Sequence, residues 1–401
     1  MLSRKQKENL YKGITYGASF ISLAVLLLIV GYVFLNGFRL LNLDLITHNY
    51  TAVTYIADIN EGFELGNFEA NRDFDEDTFY SEKWGLALTN DEDLQGKNVI
   101  VVTYVHPDSP LHTLNNKGVG DPNLDLRTDY EIIRIAFDGA ASALSSRGAQ
   151  NMITLLDQQD DIRELEFATT GGGIRGSIIT TLYLIVLTLV FALPIGIGAA
   201  IYLNEYAKNN KFNRMLRSFI ETLTGVPSII YGLMGLAIFV PITIRLTSAT
   251  TGNLISGSMT LAVILLPIII RTTEESLKVV PDDYRFASLA LGASKTQTVF
   301  KVILPNAFSG ILTATLLAIG RIIGESAALV FAIGTSIKDD VYLTDRSTSL
   351  AVHIWSMMTD EPANIELSST IALIILMIVL TLNISIKFIS KRFMRKYGVV
   401  R

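Results

Sequence analysis

From Ala307 to Gly334 the chain reads AFSGILTATLLAIGRIIGESAALVFAIG, and the only charged residues in it are Arg321 and Glu325. At 1.5 Å per residue, a helix over this stretch is long enough to cross a hydrocarbon core of about 30 Å. An arginine near the middle of a membrane helix costs roughly 2.5–3.5 kcal/mol on insertion scales, so its presence asks for a function. The four-residue spacing puts both side chains on one helical face, where the carboxylate partners the guanidinium. Guanidinium donors then remain for a second acceptor, and a planar fork suits phosphate or carboxylate. The pair points to an anion path through a membrane.

Composition supports the membrane half of that reading. Half of the 401 residues are hydrophobic and mean hydropathy is +0.40, high for a soluble protein of this length. Charge is unevenly spread. Asp44 to Glu166 holds 24 acids against 8 bases, which leaves 14 acids against 25 bases of the chain's 38 and 33. An acidic, water-soluble insert is therefore set into a basic, membrane-facing remainder. The absence of cysteine excludes a disulfide framework and thiolate-ligated metal.

Six spans are predicted: Ile14–Leu35, Ile178–Leu203, Phe219–Ile244, Leu254–Ile270, the helix quoted first, and Ser369–Ile386. Basic residues precede the first span, lie between the second and third and between the fourth and fifth, and follow the sixth. With six spans all four clusters share one side, which the positive-inside rule makes cytoplasmic together with both termini. The first span is long for a signal-peptide core and no small-residue cleavage site follows it, so it reads as an uncleaved anchor.

The fold class expected is an all-α polytopic membrane protein of six transmembrane helices. A mixed α/β domain, extracytoplasmic, is inserted between the first two spans. Residues 1–43 form the cytoplasmic tail and first helix, 44–170 the acidic insert, and 171–401 the core with five helices. Within the insert, Val99–Val105 reads as a buried strand and Tyr130–Leu144 has helical spacing. Lys117–Asn123 reads as a turn, and the acidic run Asp73–Asp77 as the least ordered part.

Two breaks are expected inside spans. Leu193-Pro194-Ile195-Gly196 interrupts the second and Gly225-Val226-Pro227-Ser228 the third. Proline removes a backbone donor and turns the preceding residue away from helix. Such backbone is tolerated in a membrane only where protein buries it or a polar cavity faces it. Thr222, Thr224 and Ser228 could supply hydroxyl donors there, and amides at a restarted helix attract anions. Against this stands a simple kink with each hydroxyl bonded to its own helix.

Between the fourth and fifth spans runs Val280-Pro281-Asp282-Asp283-Tyr284-Arg285-Phe286-Ala287-Ser288-Leu289-Ala290-Leu291-Gly292-Ala293, continuing to Val302-Ile303-Leu304-Pro305. Pro281 starts a short helix, Asp282 and Asp283 favour its N-terminus and Gly292 ends it. A second amphipathic stretch, Thr296–Ile303, follows, and Pro305 restarts a membrane helix. Two short helices turned by a glycine make a knob suited to a partner's groove.

This pattern resembles the coupling loop of ABC-importer permeases, where Glu-Ala-Ala, three residues, Gly, nine residues and Ile-x-Leu-Pro engage the ATPase. Ala287, Gly292, Leu304 and Pro305 match; Phe286 and Ser288 depart, where the pattern has glutamate and alanine. Ala199-Ala200-Ile201-Tyr202-Leu203, Glu205-Tyr206-Ala207, Gly225 to Gly232, Arg271-Thr272-Thr273-Glu274 and Arg321 to Ala327 look like the phosphate-specific, PstA-like branch. The likeness covers the first span and nearly everything from Gly171 onward; the insert has no counterpart in the usual compact member.

The resemblance implies a type I ABC importer permease fold in a bacterial inner or plasma membrane. It implies a homologous PstC-like permease as heterodimer partner, an ABC ATPase dimer and an extracytoplasmic phosphate-binding protein. ATP and magnesium belong to the ATPase, and no cofactor or metal is expected in this chain. Arg321 then contacts phosphate transiently and Glu325 holds that arginine, with Ser228 and Thr224 along the path. Coupling to the ATPase falls to residues 281–305, with Asp282, Arg285, Ala287, Gly292, Leu304 and Pro305 singled out. Pro194, Gly225 and Pro227 break helices.

Nothing in the chain itself performs chemistry. No G-x-x-x-x-G-K-[ST] occurs, and Gly171-Gly172-Gly173 before the second span lacks the lysine of a phosphate cradle. The four histidines have no metal spacing, and no nucleic-acid partner is expected. Rival readings are a permease for another oxyanion, molybdate or sulfate, and a membrane-anchored sensor whose receptor is the acidic insert.

Overall fold

One apolar helix, α1 (Arg4–Gly37), opens the chain and packs along the last one, α14 (Ile365–Lys396). They meet tightly at Gly37, where a Cβ would lie 2.6 Å from the Ser369 carbonyl oxygen. Thr370 Oγ1 donates to Gly37 O at 3.0 Å. The computed structural model describes residues 4–59, 63, 65–93, 97–118, 122–169, 171–359 and 363–396. They form two units, Met1–Leu41 with Gly176–Arg401, and Asn42–Arg175.

The Asn42–Arg175 unit begins with α2 (Leu43–Thr47), capped by Asn42, whose Oδ1 accepts from Leu45 N. Among the described residues nine strands follow: β1 (Thr54–Ile59), β2 (Thr78–Ser81), β3 (Leu86–Glu92), β4 (Asn98–Val105), β5 (Leu114–Asn116), β6 (Asn123–Leu124), β7 (Glu131–Ala136), β8 (Ala143–Leu144) and β9 (Glu164–Ala168). They make one sheet, ordered β2-β3-β4-β7-β9-β1-β5-β6 with β8 beside β7. The expected strand at Val99–Val105 is present as β4, and its Ile100 and Val102 are buried as strand alternation requires. The helix α3 (Ala149–Asp157) covers the sheet, and Trp84, fully buried, donates from Nε1 to the Leu156 carbonyl at 3.1 Å.

Tyr130–Leu144, expected as helix, instead holds the strands β7 and β8 with a bend between them. The register of β7 against β9 shifts between Ile132 and Arg134. That bulge leaves Ile132 and Ile135 buried three apart, a spacing that imitates helical periodicity. Asp73–Asp77 leads into β2 through a turn closed by Thr78 N to Asp75 O. Of the expected turn at Lys117–Asn123, residues 119–121 lie outside the described residues.

The other unit is helical: α4 (Arg175–Ile201), α5 (Lys211–Thr224), α6 (Ser228–Met234), α7 (Val240–Leu246), α8 (Leu254–Val279), α9 (Asp282–Ala290), α10 (Lys295–Thr298), α11 (Leu304–Gly324), α12 (Ala327–Ala332) and α13 (Leu350–Thr359), then α14. Among the described residues six helical stretches are long and apolar enough to cross a membrane: Tyr11–Gly37, Arg175–Tyr206, Ser228–Leu246, Leu254–Val279, Lys295–Gly324 and Ile365–Arg392. Three contain π-helical pieces, Tyr202–Tyr206, Gly235–Phe239 and Val299–Ile303.

Four expected boundaries change. Pro194 does not break α4, which runs through it as a continuous helix. Gly225–Ser228 does not lie within the third span but ahead of it, because α5 is a separate amphipathic helix. Pro305 restarts nothing: it is the second residue of α11, which continues from α10 through the π segment Val299–Ile303 as one helical stretch. The stretch Ala307–Gly334 is not one helix, since Glu325 is extended (φ −83°, ψ 119°) and ends α11.

Candidate functional site

α8 and α11 lie against each other through small side chains: a Cβ on Gly310 would meet Ser276 Oγ at 2.0 Å. Gly257 in turn faces Leu329 and Ile333, beyond the end of α11. Arg321, between these two levels, shares a cavity of about 440 Å³ with Ile268, about midway along α8. Thus α11 stops deep in the helical unit, where Arg321 forms part of its last turn.

Each charge of the pair sits at the helix end that suits it. Arg321 occupies the C-terminal turn of α11, where the carbonyl ends of the helix favour a cation. Glu325 precedes α12, and its Oε1 accepts from Ala328 N at 3.4 Å, capping that helix. Arg321 Nε lies 3.2 Å from Glu325 Oε2. The carboxylate is buried with 5% of its side chain exposed, whereas the arginine side chain is 48% exposed. Among the described residues no second acceptor takes the arginine's terminal amino groups. The rest of the cavity lining, from α11 and α14, is apolar apart from Asn383, the second polar side chain there. The sequence reading missed Asn383; its signal was an amide inside the apolar run Ser369–Ile386.

The break at Gly225–Ser228 belongs to the same apolar cluster, since Val226 packs on the group that holds Ile322, Ile323 and Ala328. Gly232 of α6 lies flat on Ala328, where a Cβ would be 2.7 Å from its Cα. Tyr231 reaches back across the break and donates to the Leu223 carbonyl at 2.8 Å, which also accepts from Val226 N at 3.3 Å. Ser228 is the first residue of α6 and half-buried.

Thr224 is elsewhere. Its hydroxyl points back to Ile220 O at 3.4 Å, and it lines a cavity of about 240 Å³ between α5 and α8. There buried Glu274 is held by Arg217 (3.0 Å) and Lys278 (2.8 Å), and Arg271 pairs with Glu275 (3.1 Å). The structure therefore places Val226 of the break in one apolar cluster with Ile322, Ile323 and Ala328, which flank Arg321 and Glu325 in the chain, and places Thr224 with a second, ion-paired one.

The knob is built on α9. Gly292 takes φ +85°, and Ala293 N and Gly292 N bond back to Ser288 O and Leu289 O, so the helix ends in a Schellman turn. Ser294 then caps α10 in a capping box with Gln297. Asp282 opens α9, and Ala287 and Gly292 are exposed, as are the large side chains of Phe286 and Leu291. Leu304 and Pro305 are half-buried at the start of α11. Arg285 differs from its neighbours. It is only 17% exposed and turns inward, to Glu205 of the Tyr202–Tyr206 π segment.

Residues 192–398 match the family model of the binding-protein-dependent transport system inner membrane component. The chain belongs to this family. The permease is 37% identical over 202 residues to the probable ABC transporter permease protein YqgI of Bacillus subtilis, covering 47% of this chain and 67% of that protein. It is 31% identical over 230 residues to phosphate transport system permease protein PstA 1 of Mycobacterium tuberculosis H37Rv, covering 55% and 71%. Against PstA of Yersinia pestis the identity is 38% over 183 residues, covering 46% and 59%. A solved inward-facing methionine transporter, MetNI, aligns at a TM-score of 0.45 and 22% identity, over 55% of this chain and 95% of that one.

The permease is thus the membrane subunit of an ABC importer, a transport component and not an enzyme. Its family works with an ATPase and a substrate-binding protein. Its apolar helices carry the type I importer permease fold, and the antiparallel sheet unit is inserted between the first two of them.

Proposed function

We propose that this permease imports inorganic phosphate by alternating access, as one half of a gate completed by a PstC-like permease. The observation that carries the reading is Arg321. Its guanidinium is half exposed at a helix junction deep in the helical unit, held on one side by Glu325 and open on the other. A cation fixed by one carboxylate attracts a tetrahedral anion without neutralising it fully, which permits release. Relatives from Yersinia pestis and Mycobacterium tuberculosis with phosphate transport in their names support the choice of anion. Ser228 lies along the same path; Thr224 lines its neighbouring cavity.

An ABC ATPase dimer, which holds ATP and magnesium, docks on residues 281–305, and an extracytoplasmic phosphate-binding protein delivers the anion. Asp282, Ala287 and Gly292 present the exposed face of the knob, and Leu304 and Pro305 lead from it into α11. In this arrangement both termini are cytoplasmic, residues 44–170 are extracytoplasmic, and the membrane is the bacterial inner or plasma membrane. ATP-dependent uptake of labelled phosphate into vesicles holding all partners tests the proposal. Uptake blocked by unlabelled phosphate and not by molybdate or sulfate is expected. The reverse competition would transfer the function to another oxyanion.

A further inference from the structure

The π segment Tyr202–Tyr206 at the end of α4 collects bonds from three directions. Arg217 of α5 donates Nη2 to the Leu203 carbonyl at 2.7 Å. Arg285 of α9 grips Glu205 with two nitrogens, Nη2 to Oε1 at 2.9 Å and Nε to Oε2 at 3.5 Å. Tyr206 donates to Thr296 Oγ1 at 3.3 Å, and Lys295 Nζ lies 5.2 Å from the centre of its ring. Both arms of the knob, before and after Gly292, are therefore fastened to one five-residue segment.

Arg285 also closes the end of α8, donating to Leu277 O at 2.9 Å and Val280 O at 2.7 Å, and it binds Asp282 at 3.1 Å. A guanidinium satisfied by two carboxylates and two carbonyls has little left for a partner protein. Glu205 is 8% exposed and Arg285 17%. A π segment is a locally strained, adjustable piece of helix, often kept where motion or function requires it.

We propose that Arg285 is a positioning residue inside the permease: with Glu205 it transmits displacement of the knob to α4, and it does not dock on the ATPase. This rests on the coupling role proposed above for residues 281–305. A knob fastened at Glu205 and Tyr206 pulls on α4 directly, and on α5 through Leu203 and Arg217. From α5 the movement reaches the Gly225–Ser228 break.

The test uses the complete importer with Glu205→Gln, Arg285→Lys and the exchange Glu205→Arg/Arg285→Glu. Copurification of the ATPase, ATP hydrolysis and phosphate uptake are measured on each. In Glu205→Gln the ATPase stays bound and hydrolysis stays within about twofold, while uptake falls about tenfold or more, the size of a lost allosteric coupling. The exchange restores part of that uptake, which a merely structural loss would not do. Loss of ATPase binding in Arg285→Lys with Glu205→Gln unaffected would make Arg285 a docking contact and overturn the proposal. Unchanged uptake in both single variants would overturn it as well.

A wild-type complex that fails to hold the ATPase defeats the coupling role itself. One that hydrolyses ATP without taking up phosphate defeats only the choice of anion. The transmission is then read by spin labels at Leu291→Cys and Leu246→Cys, in a chain that has no cysteine of its own. ATP changes the label distance in the wild-type background and not with Glu205→Gln; an equal change in both would overturn the proposal.

Discussion

Arg321 and Glu325 are joined across the end of a helix, with Nε 3.2 Å from Oε2 where α11 gives way to α12. The arginine belongs to the last turn of one helix and the glutamate accepts from the first turn of the next, so the ion pair spans the junction. Removing either partner leaves the other charge uncompensated in an apolar setting, which is more costly than the pair itself.

Arg321→Gln is expected to lower phosphate uptake by about a hundredfold, the worth of a charge-assisted bond to the anion. Arg321→Lys keeps the charge and loses the planar fork, so an intermediate loss of about tenfold is expected. Initial uptake rates in vesicles with equal amounts of assembled complex decide this. Uptake by Arg321→Gln at the wild-type rate would remove the residue from the path.

Glu325→Gln frees the arginine from its carboxylate and so tightens the anion. The half-saturating phosphate concentration falls while the maximal rate falls further, because release becomes the slow step. Saturation curves for uptake show it; a raised half-saturation constant at an unchanged maximal rate would contradict the role given to Glu325.

Gly310→Ala drives a methyl group into Ser276, whose Oγ would be 2.0 Å and Cβ 2.4 Å away. The expected destabilisation is about 1–3 kcal/mol, as for overpacking generally. Ser276→Gly in the same chain should recover most of it, whereas Ser276→Ala should not, since the Cβ clash persists. Thermal unfolding of the detergent-solubilised chain measures both.

Gly292→Ala meets no atom within 4 Å, so its whole cost is the backbone at φ +85°. About 1–2 kcal/mol is expected for an L-residue there, less for Gly292→Asn and more for the β-branched Gly292→Val. Protection of residues 282–303 against hydrogen exchange should fall in that order, with α8 unaffected.

Partial burial raises the Asp125 pKa, but hydrogen bonds from His112 and Arg127 outweigh it and hold the carboxyl below its ordinary value of 3.8. A depressed native pKa means that the unfolded chain binds the proton more readily. The stabilisation is then present above the ordinary value and lost as pH falls through the native one. Trp84, buried in the sheet unit, reports this by fluorescence once Trp355 is replaced by Phe. The denaturation midpoint should drop in the acid range, and Asp125→Asn should flatten that drop.

Much of the architecture was legible because a bilayer constrains sequence strongly. Long apolar runs, the acidic stretch between the first two and the valine-rich β4 follow from burial and periodicity alone. What misled was local chemistry read without neighbours. Pro194 promised a break, yet α4 runs through it, packed at Gly196 against Ile269 of α8, where a Cβ would approach within 2.6 Å. Ile132 and Ile135 promised a helix because a bulge set them three apart.

By itself the sequence determined the six apolar helices, the inserted unit and the pairing of Arg321 with Glu325, since hydropathy, charge and spacing are one-dimensional properties. Only the tertiary structure decided that α11 ends between those two residues, that Thr224 belongs to a different cavity, and that Arg285 turns inward to Glu205. Each of these depends on atoms far apart in the chain: a carbonyl left open at a helix end, a glycine that lets two backbones meet, a carboxylate eighty residues away. No local pattern records them.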